Sequence, residues 1–330
     1  MAESATRRVT SADVARVAGV SRATVSYVLN DTPHQTISAA TRTRVLDAAA
    51  NLGYAPSAAA RALRTGRSDV VLCLLPDWPI GQELGAMLGN LSTELARSGL
   101  TLVVHPGSHA DRPSAELWKA ITPAAVLAYQ DFTETEIGAM RAAGVALVVA
   151  LLGRGRRELE LSQHLVGGLQ ARHLAAAGHT RIGYAYPDDE RVRIFADPRL
   201  EGAQEACAER GLAAPDVREV PLDQEAAASA VLGWRAAGVT AVCAYNDEVA
   251  LAVLAGLRRV NLTAPADLAV IGVDDIPAAR LTAPALTTVT TDQAEVAKHL
   301  AATIVAAISG APEPAHNGAE VVRVLTRESA

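Results

Sequence analysis

Arg22, Ala23, Ser26 and Tyr27 fall on one side of a short stretch whose other side carries Val25 and Val28. An arginine presented outward in this way can bond guanine O6 and N7 together through its planar fork, the commonest sequence-specific contact in the DNA major groove. Ala23 can offer only apolar contact, for instance to a thymine methyl, and Tyr27 is the third variable outward position. Ser21, Thr24 and Ser26 are residue types that cap helices or hold phosphate, contacts that position without specifying. The chemistry implied is recognition. Turnover has no comparable carrier: the sequence holds no Gly-x-Ser-x-Gly elbow, no Walker A string and no His-Glu-x-x-His. His105, His109, His164, His173 and His179 are scattered, and a lone histidine is more often structural than catalytic. Cys73, Cys207 and Cys243 lie far apart with no metal-ligand spacing, which implies buried, reduced thiols. No catalytic residue, cofactor or metal site is expected.

The elements that must position Arg22 can be read from the same stretch. Ser11 as N-cap with Asp13 in the first turn, then Val14, Ala15 and Ala18 in helical spacing, predict a first short helix. Gly19 stops it, because the tight turn needs a residue free to take positive φ. Ser21 then caps a second helix that runs from Arg22 to Leu29. Two short helices joined by a glycine-containing turn make a helix-turn-helix, with the second helix placed to enter the major groove. A third helix is predicted from Ala39 to Leu52, with Val45, Leu46 and Ala49 inward and Gly53 as its stop. The loop from Asp31 to Ser38 is placed to meet backbone phosphate.

Charge supports this reading. The formal net charge is −6, yet residues 1–67 hold nine arginines against four acidic residues, while the remainder holds 21 basic and 32 acidic residues. A basic head on an acidic body suits a protein that touches phosphate through one end. No apolar run approaches the roughly 18 residues of a membrane span, and Met1 to Arg8 lack the apolar stretch of a secretory signal. A cytoplasmic protein without membrane contact is expected.

The string Asp13-Val-Ala-Arg-Val-Ala-Gly-Val-Ser-Arg-Ala-Thr-Val-Ser-Tyr-Val-Leu-Asn30, followed by Thr41-Arg-Thr-Arg-Val45 and Leu52-Gly-Tyr-Ala-Pro56, closely resembles the head of the LacI/GalR family of bacterial repressors. The resemblance continues through Ser57-Ala-Ala-Ala-Arg-Ala-Leu-Arg64, which matches that family's hinge helix, over about residues 56–64. It implies DNA contacts from Ser21, Arg22, Ala23, Thr24, Ser26, Tyr27 and Asn30 in the head, and from Ser57, Ala60, Leu63 and Arg64 in the hinge. In the family the hinge orders when two subunits meet on the operator, and a leucine from each wedges into the minor groove; Leu63 matches it. Such a wedge unstacks a base step at a cost of a few kcal/mol and bends the duplex to enlarge the contact. A helix of about eight residues is too short to be stable alone in water, so folding coupled to binding follows from its length.

Beyond residue 68, short apolar runs such as Val70–Leu75, Thr101–Val104, Ala125–Ala128, Ala146–Val149, Ile182–Ala185, Ala241–Ala244 and Ala269–Val273 alternate with alanine-rich helical stretches such as Leu84–Ser98, Val166–Ala177 and Glu248–Arg259. Strands buried on both faces and separated by helices predict an α/β fold of parallel sheets, with too many strands for one modest sheet. By resemblance the body looks like the two-lobed periplasmic-binding-protein fold. Its landmarks are Ala177-Gly-His-Thr-Arg-Ile-Gly183, Arg199-Leu-Glu-Gly202, Tyr245-Asn-Asp-Glu248, Val270-Ile-Gly-Val-Asp-Asp275 and Leu286-Thr-Thr-Val289. This places an all-α helix-turn-helix head with its hinge at 1–67 and an effector-binding and dimerisation body at 68–330. The N-subdomain takes about 68–164 and 294–313, and the C-subdomain about 165–293 and 318–330.

The resemblance implies effector contacts from Arg199, Asn246 and Asp274, with Asp77 and Trp78 from the stretch after the first strand. The sequence also departs from the pattern. Leu151 stands where an acidic residue usually ends a strand, Ser162-Gln163 replaces an Asp-Asn pair, and Asp77-Trp-Pro-Ile-Gly81 replaces Ser-Asn-Pro-Phe. Two lost acids and a single nearby aromatic, Trp78, weigh against a sugar and leave a less polar ligand, or none, open. The reading is a homodimeric repressor on a pseudo-palindromic operator with a central pyrimidine–purine step, modulated by a small-molecule effector. The chain ends soon after Thr326 with no leucine heptad, which predicts a dimer and not a coiled-coil tetramer. The alternative is a ligand-independent or architectural DNA-binding protein with a degenerate pocket; a transport binding protein does not fit the basic head.

Overall fold

The computed structural model describes residues 9–29, 36–54, 68–106, 114–129, 132–150, 157–312, 314 and 321–330. The chain divides into two compact units, Met1–Asp69 and Val70–Ala330. In the first, α1 (Ser11–Ala18), α2 (Arg22–Leu29) and α3 (Ala39–Asn51) close on one small core. That core is Val14, Ala15, Ala18, Val25, Val28, Val45, Ala48 and Ala49.

The cap of α1 differs from expectation. Thr10, not Ser11, precedes the helix in extended conformation, and its N–H and Oγ1 both donate to Asp13 Oδ2, at 3.0 and 2.7 Å. The capping box spans four residues, so an acid at 13 selects the hydroxyl at 10. Gly19 takes φ +64 and ends α1 as expected. Ser21 caps α2, its Oγ accepting from Thr24 N at 3.1 Å, and Ser38 caps α3 through Thr41 N at 3.2 Å. Leu46 is 47% exposed, and Ala48 is buried in its place. Val45, Ala48, Ala49 and Leu52 follow the i, i+3, i+4, i+7 stripe, and position 46 lies a quarter-turn off it.

The second unit holds two sheets. The first comprises β1 (Val70–Leu75), β2 (Thr101–Pro106), β3 (Ala125–Ala128) and β4 (Leu147–Ala150), ordered β2-β1-β3-β4 and parallel throughout. The second comprises β5 (Ile182–Tyr186), β6 (Asp216–Glu219), β7 (Ala241–Ala244), β8 (Ala269–Val273), β9 (Thr287–Thr291) and β10 (Val322–Leu325), ordered β10-β9-β8-β7-β5-β6. Its strands are parallel except β10, which pairs antiparallel with β9.

Helices α4 (Gln82–Arg97), α5 (Ser114–Ile121), α6 (Glu134–Ala142), α7 (Arg157–Ala176), α8 (Arg193–Glu209), α9 (Gln224–Ala236), α10 (Asp247–Arg259) and α11 (Gln293–Ser309) cover the sheets. Both faces of β1 are buried. Val71, Cys73 and Leu75 meet Leu91 and Leu95 of α4 and Leu300 and Ile304 of α11, whereas Leu72 and Leu74 meet Trp118 and Met140. The same alternation in β7 sends Val242 and Ala244 toward Trp234 and Leu257, and Ala241 and Cys243 toward Leu174 and Ala206. All three cysteines are buried free thiols. In each sheet the strand order reverses once, between β1 and β3 and between β5 and β7. Open α/β sheets bind ligands beyond the carboxyl ends of the strands at such reversals.

Candidate functional site

The reading face of the first unit is α2. Ser21, Arg22, Ala23 and Tyr27 are exposed, Thr24 and Ser26 are half-buried, and Val25 and Val28 are buried. The Ser21 and Thr24 hydroxyls lie 2.9 Å apart, so both are engaged in shaping the start of the helix. Arg22 therefore projects from the first turn of a rigid, capped helix. Asn30, Ser57, Ala60, Leu63 and Arg64 lie outside the described residues, as does Leu151.

In the second unit a cavity of about 300 Å³ opens at the strand-order reversals, and its wall includes Trp78, Tyr129, Phe195, Arg199, Asn246 and Asp274. Trp78 follows β1, Tyr129 follows β3, and Tyr245 and Asn246 follow β7, each where the parallel strands point their carboxyl ends. Arg199, on α8 and 8% exposed, is the polar hub. Its Nη1 donates to Tyr245 O at 2.7 Å and its Nε to Gln163 Oε1 at 2.7 Å, while Nη2 lies 3.8 Å from Asp274 Oδ1. The guanidinium stacks 5.0 Å from the Tyr245 ring centroid. Burial pushes the Asp274 carboxyl above its ordinary range; Arg199 pulls it back and Glu248 adds to the rise. Asn246 caps α10, its Oδ1 accepting from Val249 N at 3.0 Å, so what it can offer a ligand is its NH₂.

The cavity lining is also aromatic. Trp78 packs edge-on against Tyr129 (centroids 5.0 Å apart) and Phe195 (4.8 Å). A single aromatic near the pocket was expected, and the fold brings four, since Tyr245 joins them. Acids are also present: Glu83 and Glu248 line the cavity beside Asp274. Glu83 Oε2 accepts from Gln293 Nε2 at 2.6 Å. Burial, reinforced by Asp274, pushes Glu83 up to about 7. The expectation of an acid-poor pocket with one aromatic is therefore corrected. Asp77 is a second correction. Its side chain is 76% exposed, 4.0 Å from Arg191 Nη1, and is not part of the wall. A tight turn in which Trp78 N donates to Pro76 O at 2.8 Å sends Trp78 inward and Asp77 outward. Ser162 and Gln163 fall within α7 and not before it, and Gln163 serves the pocket by orienting Arg199.

Residues 10–57 match the family described as bacterial regulatory proteins, lacI family, and residues 171–330 match the periplasmic binding protein-like domain. The transcriptional regulator GalR of Escherichia coli is 32% identical over 290 residues, spanning 84% of this chain and 82% of GalR. The chain belongs to the LacI family of DNA-binding transcriptional regulators. MalR of Streptomyces coelicolor is another relative, 29% identical across 92% of this chain and 91% of its own. Among solved structures, a lac repressor dimer bound to operator and the anti-inducer ONPF superimposes with a TM-score of 0.72 at 21% identity, covering 98% and 99% of the two chains. A complex of the regulator CelR with cellobiose gives 0.62 at 25% identity, covering 98% and 100%. As a LacI-family member the chain is a regulator and not an enzyme. Among the described residues no helix is long and apolar enough to cross a membrane.

Proposed function

We propose that this LacI-family regulator is a cytoplasmic repressor that grips a pseudo-palindromic operator as a homodimer and is controlled by a small hydroxylated effector of the sugar class. In this reading Arg22, Ala23 and Tyr27 of α2 read the major groove, and Leu63 of each hinge wedges into the minor groove at a flexible central step. The observation that carries the effector half is the polar cluster lining the cavity. Arg199 is buried, oriented by Gln163 and the Tyr245 carbonyl, and set beside Asp274 and the Asn246 amide. Donors and acceptors sharing a cavity with aromatic rings suit a molecule with hydroxyls on its edge and C–H groups on its faces. A pocket organised to this degree favours effector control over ligand-independent binding, and the similar regulator CelR, solved in complex with cellobiose, supports a saccharide.

The experiment is a thermal-shift screen of mono- and disaccharides, followed by operator release measured with the hits. A sugar is expected to raise the melting temperature and change operator affinity, with both effects abolished in Asp274→Ala. Asp274→Ala responding like the wild type contradicts the assignment of this cavity.

A further inference from the structure

Among the described residues the cavity wall carries more carboxyl groups than guanidinium groups. Glu83, Glu248 and Asp274 face it with Arg199 as the guanidinium and His299 as an imidazole among the described lining residues. Arg199 is already committed: two of its nitrogens donate to Gln163 Oε1 and Tyr245 O, and the third lies 3.8 Å from Asp274. Glu83 has a different environment. Its hydrogen-bond donor is the neutral Gln293 amide, which gives geometry without cancelling charge. Burial with Asp274 and Asp275 nearby disfavours its ionised form, only partly offset by Arg199 and the Gln293 bond. A cationic group on a bound ligand would stabilise a half-buried carboxylate in this position.

Two further features point the same way. Trp78, Tyr129 and Phe195 line the cavity that holds Glu83, and aromatic rings attract a desolvated ammonium that comes over their faces. Thr303 lines the cavity, is 3% exposed, and its Oγ1 has no hydrogen-bond partner among the described residues. It shares a face of α11 with Gln293, Val296 and Leu300, all lining residues. A buried hydroxyl without a partner is costly, and a bound ligand completes it.

We propose that the effector carries a protonated amine, held by the Glu83 carboxylate, with Thr303 Oγ1 as a further ligand contact. Amino sugars are the class that combines this group with hydroxyls for Arg199, Asn246 and Asp274. The proposal rests on the reading of this cavity as the effector site.

The test is calorimetric titration of the full-length protein with glucosamine and galactosamine, against glucose, galactose and N-acetylglucosamine. An amine is expected to bind about tenfold or more tightly than both its hydroxyl counterpart and the neutral acetylated form. Glu83→Gln, which keeps the side-chain shape, is expected to erase that preference. Thr303→Val is expected to weaken binding several-fold while the empty protein melts no lower than the wild type. If Glu83→Gln does not fold, the wild-type selectivity and Thr303→Val decide. A neutral sugar bound as tightly as its amine, or an amine preference surviving in Glu83→Gln, overturns the amine and leaves the sugar-class reading standing. Binding by none of these five probes, with saccharides of other kinds binding in the wider screen, also overturns the amine alone. A wider screen with no saccharide bound removes both.

Discussion

Asp247 opens α10 fully buried, its carboxyl accepting from Thr288 Oγ1 at 2.7 Å and from Ile276 N at 2.9 Å. The space exists because residue 272 is glycine: a Cβ there would come within 2.1 Å of Asp247 Oδ1. Burial pushes this carboxyl up to about 7, with Asp274 and Asp275 adding to the rise against the two hydrogen bonds. An acid raised from about 4 when unfolded to about 7 when folded takes up a proton on folding between those values. Stability therefore falls as pH rises through this window and is level outside it. Glu83 acts in the same direction, and His179, whose pKa burial lowers, acts in the opposite one. Melting temperatures measured across this range should fall toward neutral pH, and Asp247→Asn should flatten the slope; an unaltered profile would show that Asp247 is not the group responsible. Much of the residue scale was legible. Arg22 is exposed on its helix, and Trp78, Arg199, Asn246 and Asp274 line one cavity. Glu83, Tyr129, Phe195 and Tyr245 were not seen, because each comes from a different element and only the fold brings them together. Tyr129 and Tyr245 were within reach, since each follows a strand by one residue on the side where open sheets bind.

At the scale of elements, the α7–α8 pair is where packing and site meet. A Cβ on Gly202 would fall 1.9 Å from the His164 carbonyl oxygen, and one on Gly167 would fall 1.7 Å from that of Arg199. The two helices cross backbone to backbone, and the crossing sets Gln163 against Arg199. Glycine to alanine inside a helix ordinarily stabilises by up to about 1 kcal/mol. Here the added methyl meets backbone, so Gly202→Ala is expected to destabilise by about 2 kcal/mol in chemical denaturation and to weaken effector binding. Wild-type stability in this variant would mean that the helices are not so closely apposed. Periodicity found the buried strands and the three head helices because their apolar positions are strongly patterned. It missed β6, whose Asp-Val-Arg-Glu sequence is that of a half-exposed edge strand. It also missed β9, a run of threonines and valine, and antiparallel β10. These strands close the sheet through pairing to distant neighbours, which local pattern does not encode.

The whole molecule joins an arginine-rich head to an acidic body, and that asymmetry was plain from composition. The fold adds that head and body are separate compact units and that the body's cavity forms at the strand reversals of both its sheets. Recognition and control are thus assigned to different units, and the central claim is that the first of them reads sequence. Selection of bound duplexes from a random DNA pool by the full-length protein tests this most directly. Enrichment of a pseudo-palindrome with a pyrimidine–purine step at its centre is expected. Arg22→Ala is expected to lose about 1–3 kcal/mol on that site and to become degenerate at one base pair of each half. Recovery of duplexes with no sequence in common would contradict it.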